Sequence, residues 1–183
     1  MPIGRSGTRS AVPVELRRRY EARWFVASEV GAELATHRPG RCRVDAYHVP
    51  SLTPATSVKW RGDAALVEHK RRLGRVELVT WCGVPGFGEQ WVKQRQPRRR
   101  PPGGAAWREV SKEVWTRAGV EVARFVVGGE EFWTVCVDLA CAGEPSGQAR
   151  RWWRSQLAGA EPSSYAAFLA ALPGTGRGHL EAV

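Results

Sequence analysis

The sequence predicts an α+β protein, mainly β, in which about eight mostly antiparallel strands form a barrel or a sandwich with one or two C-terminal helices. Three observations predict this class. Short segments alternate between apolar and polar residues, Gly- and Pro-containing turns separate them, and a helical period appears only after about residue 149. With 183 residues, the chain fits one domain with a core of its own.

The predicted strands succeed one another between residues 20 and 140. They are 20–28, 42–48, the two arms of a hairpin within 57–72, then 76–82, 89–95, 108–117, 120–127 and 132–140. Turn signals stand at Gly62-Asp63, in GVPGFG (83–88) and at Gly128-Gly129. The prolines and glycines of QPRRRPPGGAA (96–106) indicate an exposed loop inside one domain.

The C-terminal region has a helical period. Ser163 or Ser164 is predicted to cap a helix, SYAAFLAAL, that ends at Pro173-Gly174. The stretch 149–159 is a second helix candidate. The predicted organisation is therefore a basic flexible leader at 1–18, a single domain at 19–172 and a loose tail at 173–183.

The net charge of +10 is concentrated in two places. Residues 1–19 hold five arginines against one glutamate, and the stretch 93–100 holds five basic residues. The rest of the chain is almost balanced, so nucleic-acid binding through the Arg-rich loop is a secondary hypothesis. No apolar run is long enough to cross a membrane and no apolar signal core is present, so we expect no membrane partner and a cytoplasmic location.

The cysteines and histidines do not indicate a structural zinc site. The four cysteines form no CxxC pair, and none of the four histidines has a second ligand at zinc spacing. The strand tryptophans are expected mainly in the core, although stacking on bases is an alternative.

The hairpin SVKWRGDAALVEHKRR (57–72) carries charged residues in a regular pattern. With a turn of two or four residues, Lys59 and Arg61 share a face with Glu68, Lys70 and Arg72, and the opposite face packs on a core. That charged face either lies in water, as in most one-sided sheets, or lines a polar interior. Because neighbouring cations repel, an inward-facing row requires a polyanion such as a chain of phosphates.

The other strands favour the polar interior. Nearly every strand carries one or two ionisable residues at period-two spacing: Glu21 and Arg23, Glu77, Lys93 and Arg95, Arg124, and Asp138. Both signs of charge recur on strands that are otherwise apolar. The pattern predicts a tunnel whose lining is ionic.

The order of these motifs resembles the CYTH superfamily, the triphosphate tunnel metalloenzymes, over about residues 20–140. EARWFV, RCRVDAY, VKWRGDAALVEHK, WVKQR and FWTVCVDLA follow one another as the family's basic and acidic strands do. The SYAAFL helix is similar to the ending of an uncharacterised bacterial subgroup. The resemblance implies an eight-stranded antiparallel tunnel that binds a triphosphate, a nucleotide or polyphosphate, with Mg²⁺ or Mn²⁺ held by carboxylates.

Carried over to this sequence, the resemblance assigns roles to particular residues. Phosphate would be bound by Lys59, Arg61, Lys70, Arg23, Lys93 and Arg124. Metal would be coordinated by Glu68, Asp138 and Glu77, and Glu68 and Glu21 would serve in catalysis. The family's known chemistry is hydrolysis of triphosphates or cyclisation of ATP, in which a metal ion and cations stabilise the transferred charge.

The first strand departs from the family pattern. The family carries acidic residues two apart followed by Lys, whereas this chain offers only Glu21 and Arg23. Two alternatives therefore stay open: a metal-dependent triphosphatase that uses Glu21, Glu68 and Glu77, or a non-catalytic module that binds a phosphate ligand.

Overall fold

The computed structural model describes residues 15–35, 39–98, 104 and 106–172. The strands are β1 (Glu15–Val26), β2 (Arg41–His48), β3 (Thr56–Arg61), β4 (Leu66–Trp81), β5 (Val84–Pro97), β6 (Trp107–Arg117), β7 (Val120–Val127), β8 (Glu130–Asp138) and β9 (Glu161–Pro162). The helices are α1 (Ser28–Leu34), α2 (Gly147–Gln156) and α3 (Tyr165–Ala171).

Eight antiparallel strands close into a barrel. Their order is β5-β4-β3-β2-β6-β7-β8-β1, and β1 pairs again with β5, while β9 adds a short extension beside β1. This confirms the predicted mainly β class with an eight-stranded barrel and C-terminal helices, and it decides against the sandwich. Closure leaves the inner face of every barrel strand turned toward a common interior.

The register of the hairpin between β3 and β4 confirms the predicted shared face. Four residues, 62–65, connect the strands, with Ala65 in the left-handed region at φ 48°. Arg61 then pairs with Leu66, and Lys59 pairs with Glu68. Directly paired residues point to the same side, so the charged side chains of both strands enter one space.

The second predicted turn differs from the structure. GVPGFG was expected to be a turn, but β4 runs unbroken to Trp81 and β5 begins at Val84. Cys82 and Gly83, both with positive φ, form a two-residue turn of the kind that suits the twist of a hairpin. The predicted break between 72 and 76 is a register shift between Leu73 and Glu77 within one long strand.

The outer face of the barrel carries the larger apolar core. Trp24, Trp81 and Trp133 lie there with Val135, and α1 and α2 cover them through Leu34 and Trp153. Helix α1 was not predicted, because its seven residues are too few to establish a helical period. With these three indoles on the outer face, much of the interior is left to polar side chains.

Helix α3 closes one end of the barrel. Its Tyr165 and Leu169 pack with Tyr47 and Phe125, which come from the inner faces of β2 and β7. Ser164 caps the helix by accepting a hydrogen bond from the Ala167 backbone N–H, so the predicted helix and one of its two candidate caps are confirmed.

Strand β1 begins at Glu15, so residues 15–18 of the predicted leader belong to the barrel. The remaining leader, most of the Arg-rich loop and the predicted tail at 173–183 lie outside the described residues. None of the described helices is both long enough and apolar enough to span a bilayer.

Candidate functional site

The barrel encloses a cavity of about 280 Å³ that is lined mainly by ionisable side chains. In the described part of the chain, nine cations line it: Arg19, Arg23, Arg43, Lys59, Arg61, Lys70, Lys93, Arg95 and Lys112. Four carboxylates line it as well: Glu21, Glu68, Glu121 and Asp138. We call this space the cation cavity; its lining carries more positive than negative charge.

Every lysine of the chain lies in this cavity. The sequence uses arginine for almost all other basic positions, and its four lysines are Lys59, Lys70, Lys93 and Lys112. A lysine presents a compact point charge on a slender stem, which suits a narrow interior better than the broad guanidinium fork. The four lysines thus lie beside five lining arginines, and none lies elsewhere in the chain.

A buried carboxylate, Asp45, organises one side of the cavity. It is 0% exposed and lies on β2 in phase with Arg43. Its partners and nitrogen–oxygen distances are Lys59 at 3.2 Å, Arg43 at 3.4 Å, Lys112 at 3.7 Å and Arg61 at 4.0 Å. One negative charge thus holds four cations together, which leaves this side with a surplus of positive charge.

Two further carboxylates, on β4 and β1, are also held by cations. Glu68 accepts a hydrogen bond from Arg95 at 2.8 Å and lies 3.4 Å from Lys59. Glu21 accepts from Lys70 and lies 3.4 Å from Lys93. The Lys70 ammonium is also 4.0 Å from the centroid of the Trp91 ring, an inward-facing indole.

The remaining lining pairs lie on β1, β7 and β8. Asp138 is paired with Arg19, and Arg23 lies 3.5 Å from Glu121 and donates to the Thr134 hydroxyl at 2.8 Å. All four lining carboxylates therefore have basic partners.

Several buried donors in the cavity have no hydrogen-bond acceptor within the described ranges. The Nε–H groups of Arg43 and Arg61 are buried without one, although carboxylate oxygens lie 3.4 to 4.0 Å away. The Tyr165 hydroxyl, at the closed end, is also buried and unpaired. The Asp45 Oδ1 that faces the two Nε–H groups is buried and unpaired as well, so these contacts are ion pairs without hydrogen-bond geometry.

Burial lowers the pKa of the Lys112 ammonium well below its ordinary value. Asp45 opposes this effect, but Lys59 and Arg43 lower the pKa further. The ammonium also lies 3.6 Å from the centroid of the Tyr165 ring and donates to the Tyr47 hydroxyl at 3.1 Å. An anion in the cavity would favour the charged form of Lys112.

Acid should destabilise the fold through the buried carboxylates. Burial alone would raise the pKa values of Glu21, Asp45 and Glu68. Neighbouring ammonium groups more than offset this effect: Lys70 lowers the pKa of Glu21, and Lys59 lowers the pKa values of Asp45 and Glu68. All three pKa values therefore lie well below their ordinary values. Their contribution to stability is complete above the ordinary carboxylate range and is lost as pH falls through about 4 toward the depressed values. Urea unfolding at pH 7, 5, 4 and 3 should therefore show a falling free energy of unfolding, and equal values at pH 7 and 3 would contradict this account.

Most of the predicted site residues meet in the cation cavity. Lys59, Arg61, Lys70, Arg23, Lys93, Glu21, Glu68 and Asp138 all line it. Two do not. Arg124 is 43% exposed on the outer face, paired with Glu113 and Glu131, and Glu77 accepts from Tyr20 on the outside of the barrel. These two placements correct the prediction. Arg124 shares a face of β7 with Val122, which packs in the outer core. Glu77 lies directly after the register shift in β4, which interrupts the alternation of that strand.

Five lining or supporting residues were missed: Arg19, Arg43, Asp45, Lys112 and Glu121. Arg95, which the alternation placed in phase with Lys93 without a role, lines the cavity as well. Arg43 and Asp45 alternate with Tyr47 on a predicted strand, so their phase was available in the sequence. Lys112 was not accessible in this way, because β6 carries charged residues in both phases. Only the pairing of Lys112 with Arg43 on β2 shows that it points inward.

Among the residues that the structure describes, the carboxylates of the cation cavity are not grouped as metal ligands. No group of three or more His, Cys, Asp or Glu side chains that could hold a metal ion occurs within the described ranges. The predicted ligands Glu68 and Asp138 are each bound to cations, and Glu77 lies outside the cavity. Mg²⁺ needs several free oxygen ligands, so this donor set does not fit it and no step through a metal is derived.

No family model, curated protein or solved structure matches the chain. The resemblance to the CYTH superfamily therefore stays a prediction from the sequence.

Proposed function

We propose that the cation cavity binds a small linear polyanion of the triphosphate class, and that the protein is a binding module for it rather than a hydrolase. The surplus of cations carries this proposal. Nine basic side chains face a small enclosed space, and the carboxylates that partner them are fewer. Like charges repel strongly away from bulk water, so a ligand with several negative charges would stabilise the arrangement.

Charge and size favour a phosphate chain. Arginine offers paired donors that match phosphate oxygens, and lysine offers a point charge; both types line the cavity. A volume of about 280 Å³ is at the small end of ligand sites, which suits a short chain rather than a folded polymer. The barrel is closed at one end by α3, so such a chain would enter by one end.

Hydrolysis is not part of the proposal. A general base works best with a pKa near the working pH, whereas the pKa values of Glu21 and Glu68 are held far lower by Lys70 and Lys59. Burial raises the pKa of the Cys136 thiol to about 12, so this lining cysteine is not a nucleophile at neutral pH.

Tripolyphosphate binding should depend on Lys59 and not on Arg124. Calorimetry of the full chain should show that Lys59→Gln weakens binding by about 10- to 100-fold, the value of one hydrogen bond to a charged group. Arg124→Gln, which removes a cation from the outer face, is the matched control and should leave the affinity unchanged. Circular dichroism should show both variants folded.

Lysine labelling offers a second measurement of the same binding. Because all four lysines line the cavity, tripolyphosphate should protect every lysine from an amine-directed reagent. The proposal would be refuted if the lysines stayed reactive in the presence of tripolyphosphate. It would also be refuted if Lys59→Gln and Arg124→Gln lost affinity to the same extent. Release of phosphate from tripolyphosphate with Mn²⁺ present would instead support the hydrolase that was left open by the sequence.

A further inference from the structure

Lys112 and Tyr47 meet at the closed end of the cation cavity, and the proposed function does not use the reactivity of this pair. The Lys112 Nζ donates a hydrogen bond to the Tyr47 hydroxyl at 3.1 Å and lies 3.6 Å from the centroid of the Tyr165 ring. Tyr165 belongs to α3, which closes this end of the barrel, and its hydroxyl is buried without a hydrogen-bond partner within the described ranges. A buried amine therefore lies beside a phenol, in a space that still has a polar group to satisfy.

The surroundings of Lys112 favour its free amine. Burial has the largest effect on the pKa of this side chain and lowers it well below its ordinary value. The charged neighbours are Lys59, Arg43 and Arg23, which lower the pKa further, and Asp45 and Glu121, which attract the protonated form. A lysine that is desolvated beside other cations is activated as a nucleophile, because its nitrogen lone pair is free more often than that of a solvated lysine.

Tyr47 is placed to supply a proton to a group that this amine attacks. Burial, and then the charge of Asp45, raise the pKa of the Tyr47 hydroxyl well above its ordinary value, so the phenol keeps its proton. The hydroxyl receives the Lys112 hydrogen bond on an oxygen lone pair, and its own proton is not used in this contact. A carbonyl oxygen becomes a strongly basic alkoxide when an amine attacks its carbon. A phenol within hydrogen-bond reach of the attacking nitrogen is therefore in position to act as the general acid.

The cations beside Lys112 select the kind of carbonyl compound that fits. Lys59 and Arg61 approach the Asp45 carboxylate at 3.2 and 4.0 Å, and Lys112 approaches it at 3.7 Å. Clustered lysine and arginine donors match a phosphate group. The cavity volume of about 280 Å³ suits a short chain. A small molecule that carries both a phosphate and a carbonyl group matches these features together.

We infer that Lys112 forms an imine with a small phosphorylated aldehyde or ketone held in the cation cavity. The amine lone pair forms the C–N bond, and the carbonyl π electrons move to the oxygen, which takes the Tyr47 proton. The nitrogen then returns a proton to the phenolate, which gives a neutral carbinolamine. The carbinolamine hydroxyl leaves as water with a proton from Tyr47, and the last N–H proton restores the phenol. Amine and carbonyl thus give imine and water.

Reductive trapping tests the imine. The full chain is incubated with dihydroxyacetone phosphate and sodium cyanoborohydride, which converts an imine into a stable secondary amine, and peptide mass spectrometry locates the adduct. Lys112 should carry about tenfold more adduct than any other lysine, because Lys59, Lys70 and Lys93 are each held in an ion pair with a glutamate. Dihydroxyacetone, which lacks the phosphate, should react about tenfold more slowly.

Tyr47→Phe tests the proton transfer, because it removes the hydroxyl and keeps the ring. It should slow adduct formation at saturating dihydroxyacetone phosphate by about 100-fold and leave the half-saturating concentration unchanged. Tyr20→Phe is the matched control, since the Tyr20 hydroxyl donates to Glu77 on the outside of the barrel. This variant should react at the wild-type rate.

The inference is wrong if Lys112 is not modified, if the adduct is spread evenly over the four lysines, or if dihydroxyacetone reacts as fast as its phosphate. Equal rates in Tyr47→Phe and Tyr20→Phe would overturn the role of the Tyr47 proton. The inference goes beyond the proposed function, because tripolyphosphate has no carbonyl group. Calorimetry with tripolyphosphate is a separate measurement, so the proposed function stands if trapping fails.

Discussion

Asp45→Asn should cause a large loss of stability. The carboxylate is fully buried and is shared by four cations, of which Lys59 is the nearest at 3.2 Å. Removing one partner of a buried charge cluster leaves the others uncompensated, which lowers the free energy of unfolding by about 3–5 kcal/mol. The amide keeps the shape of the side chain, so the effect is one of charge rather than of packing. Urea unfolding at neutral pH measures it.

The same variant should be rescued by an anion. With Asp45 neutral, the cavity holds more net positive charge, so tripolyphosphate should raise the unfolding midpoint of Asp45→Asn more than that of the wild type. Glu131→Gln, which removes a carboxylate from an exposed pair with Arg124, is the matched control and should change stability little. A loss in Asp45→Asn no greater than in this control would show that Asp45 does not organise the cluster.

Lys112→Met should stabilise the fold while weakening ligand binding by about 10- to 100-fold, the value of a charged hydrogen bond. Lys112 is buried beside other cations and lies 3.7 Å from a carboxylate that is already shared. Methionine has a similar length and no charge, so it removes repulsion and fits beside the Tyr165 ring. The free energy of unfolding should rise by about 1 kcal/mol, in line with other replacements of buried charges by apolar residues.

The pH dependence distinguishes loss of this charge from altered packing. Because the folded-state pKa of Lys112 is lowered, the unfolded chain binds more protons between that pKa and the ordinary lysine value. Wild-type stability should therefore rise with pH in this range, and Lys112→Met should reduce the slope. Binding of tripolyphosphate to the wild type should weaken as pH rises through the same pKa. Arg124→Met, on the outer face, should alter neither slope nor affinity.

The contrast between Lys112→Met and Asp45→Asn follows from the excess of cations. Removing one of several cations around a single carboxylate relieves repulsion, whereas removing the carboxylate takes away a partner that all four cations share. If both variants destabilised the fold to the same extent, the cavity would behave as a balanced set of salt bridges, and the case for a bound polyanion would lose its main support.

The sequence by itself determined which strands exist and which residues share a face. Period-two spacing placed Lys59 in phase with Arg61, and Glu68 with Lys70, and the turn at Gly62-Asp63 predicted their common side. These are local properties, set by alternation and turn length. The same local signal failed for Arg124 and Glu77. Alternation shows which residues of a strand share a face, but it does not show which of the two faces points inward.

Only the tertiary structure decided that the charged face is the interior. That choice depends on closure between β1 and β5, on α1 and α2 covering the outer indoles, and on α3 closing one end. It also joined Asp45 to Lys112, residues 67 positions apart whose contact depends on the pairing of β2 with β6. An ionic interior is stable only when many such long-range contacts compensate one another, and no short stretch of sequence contains that information.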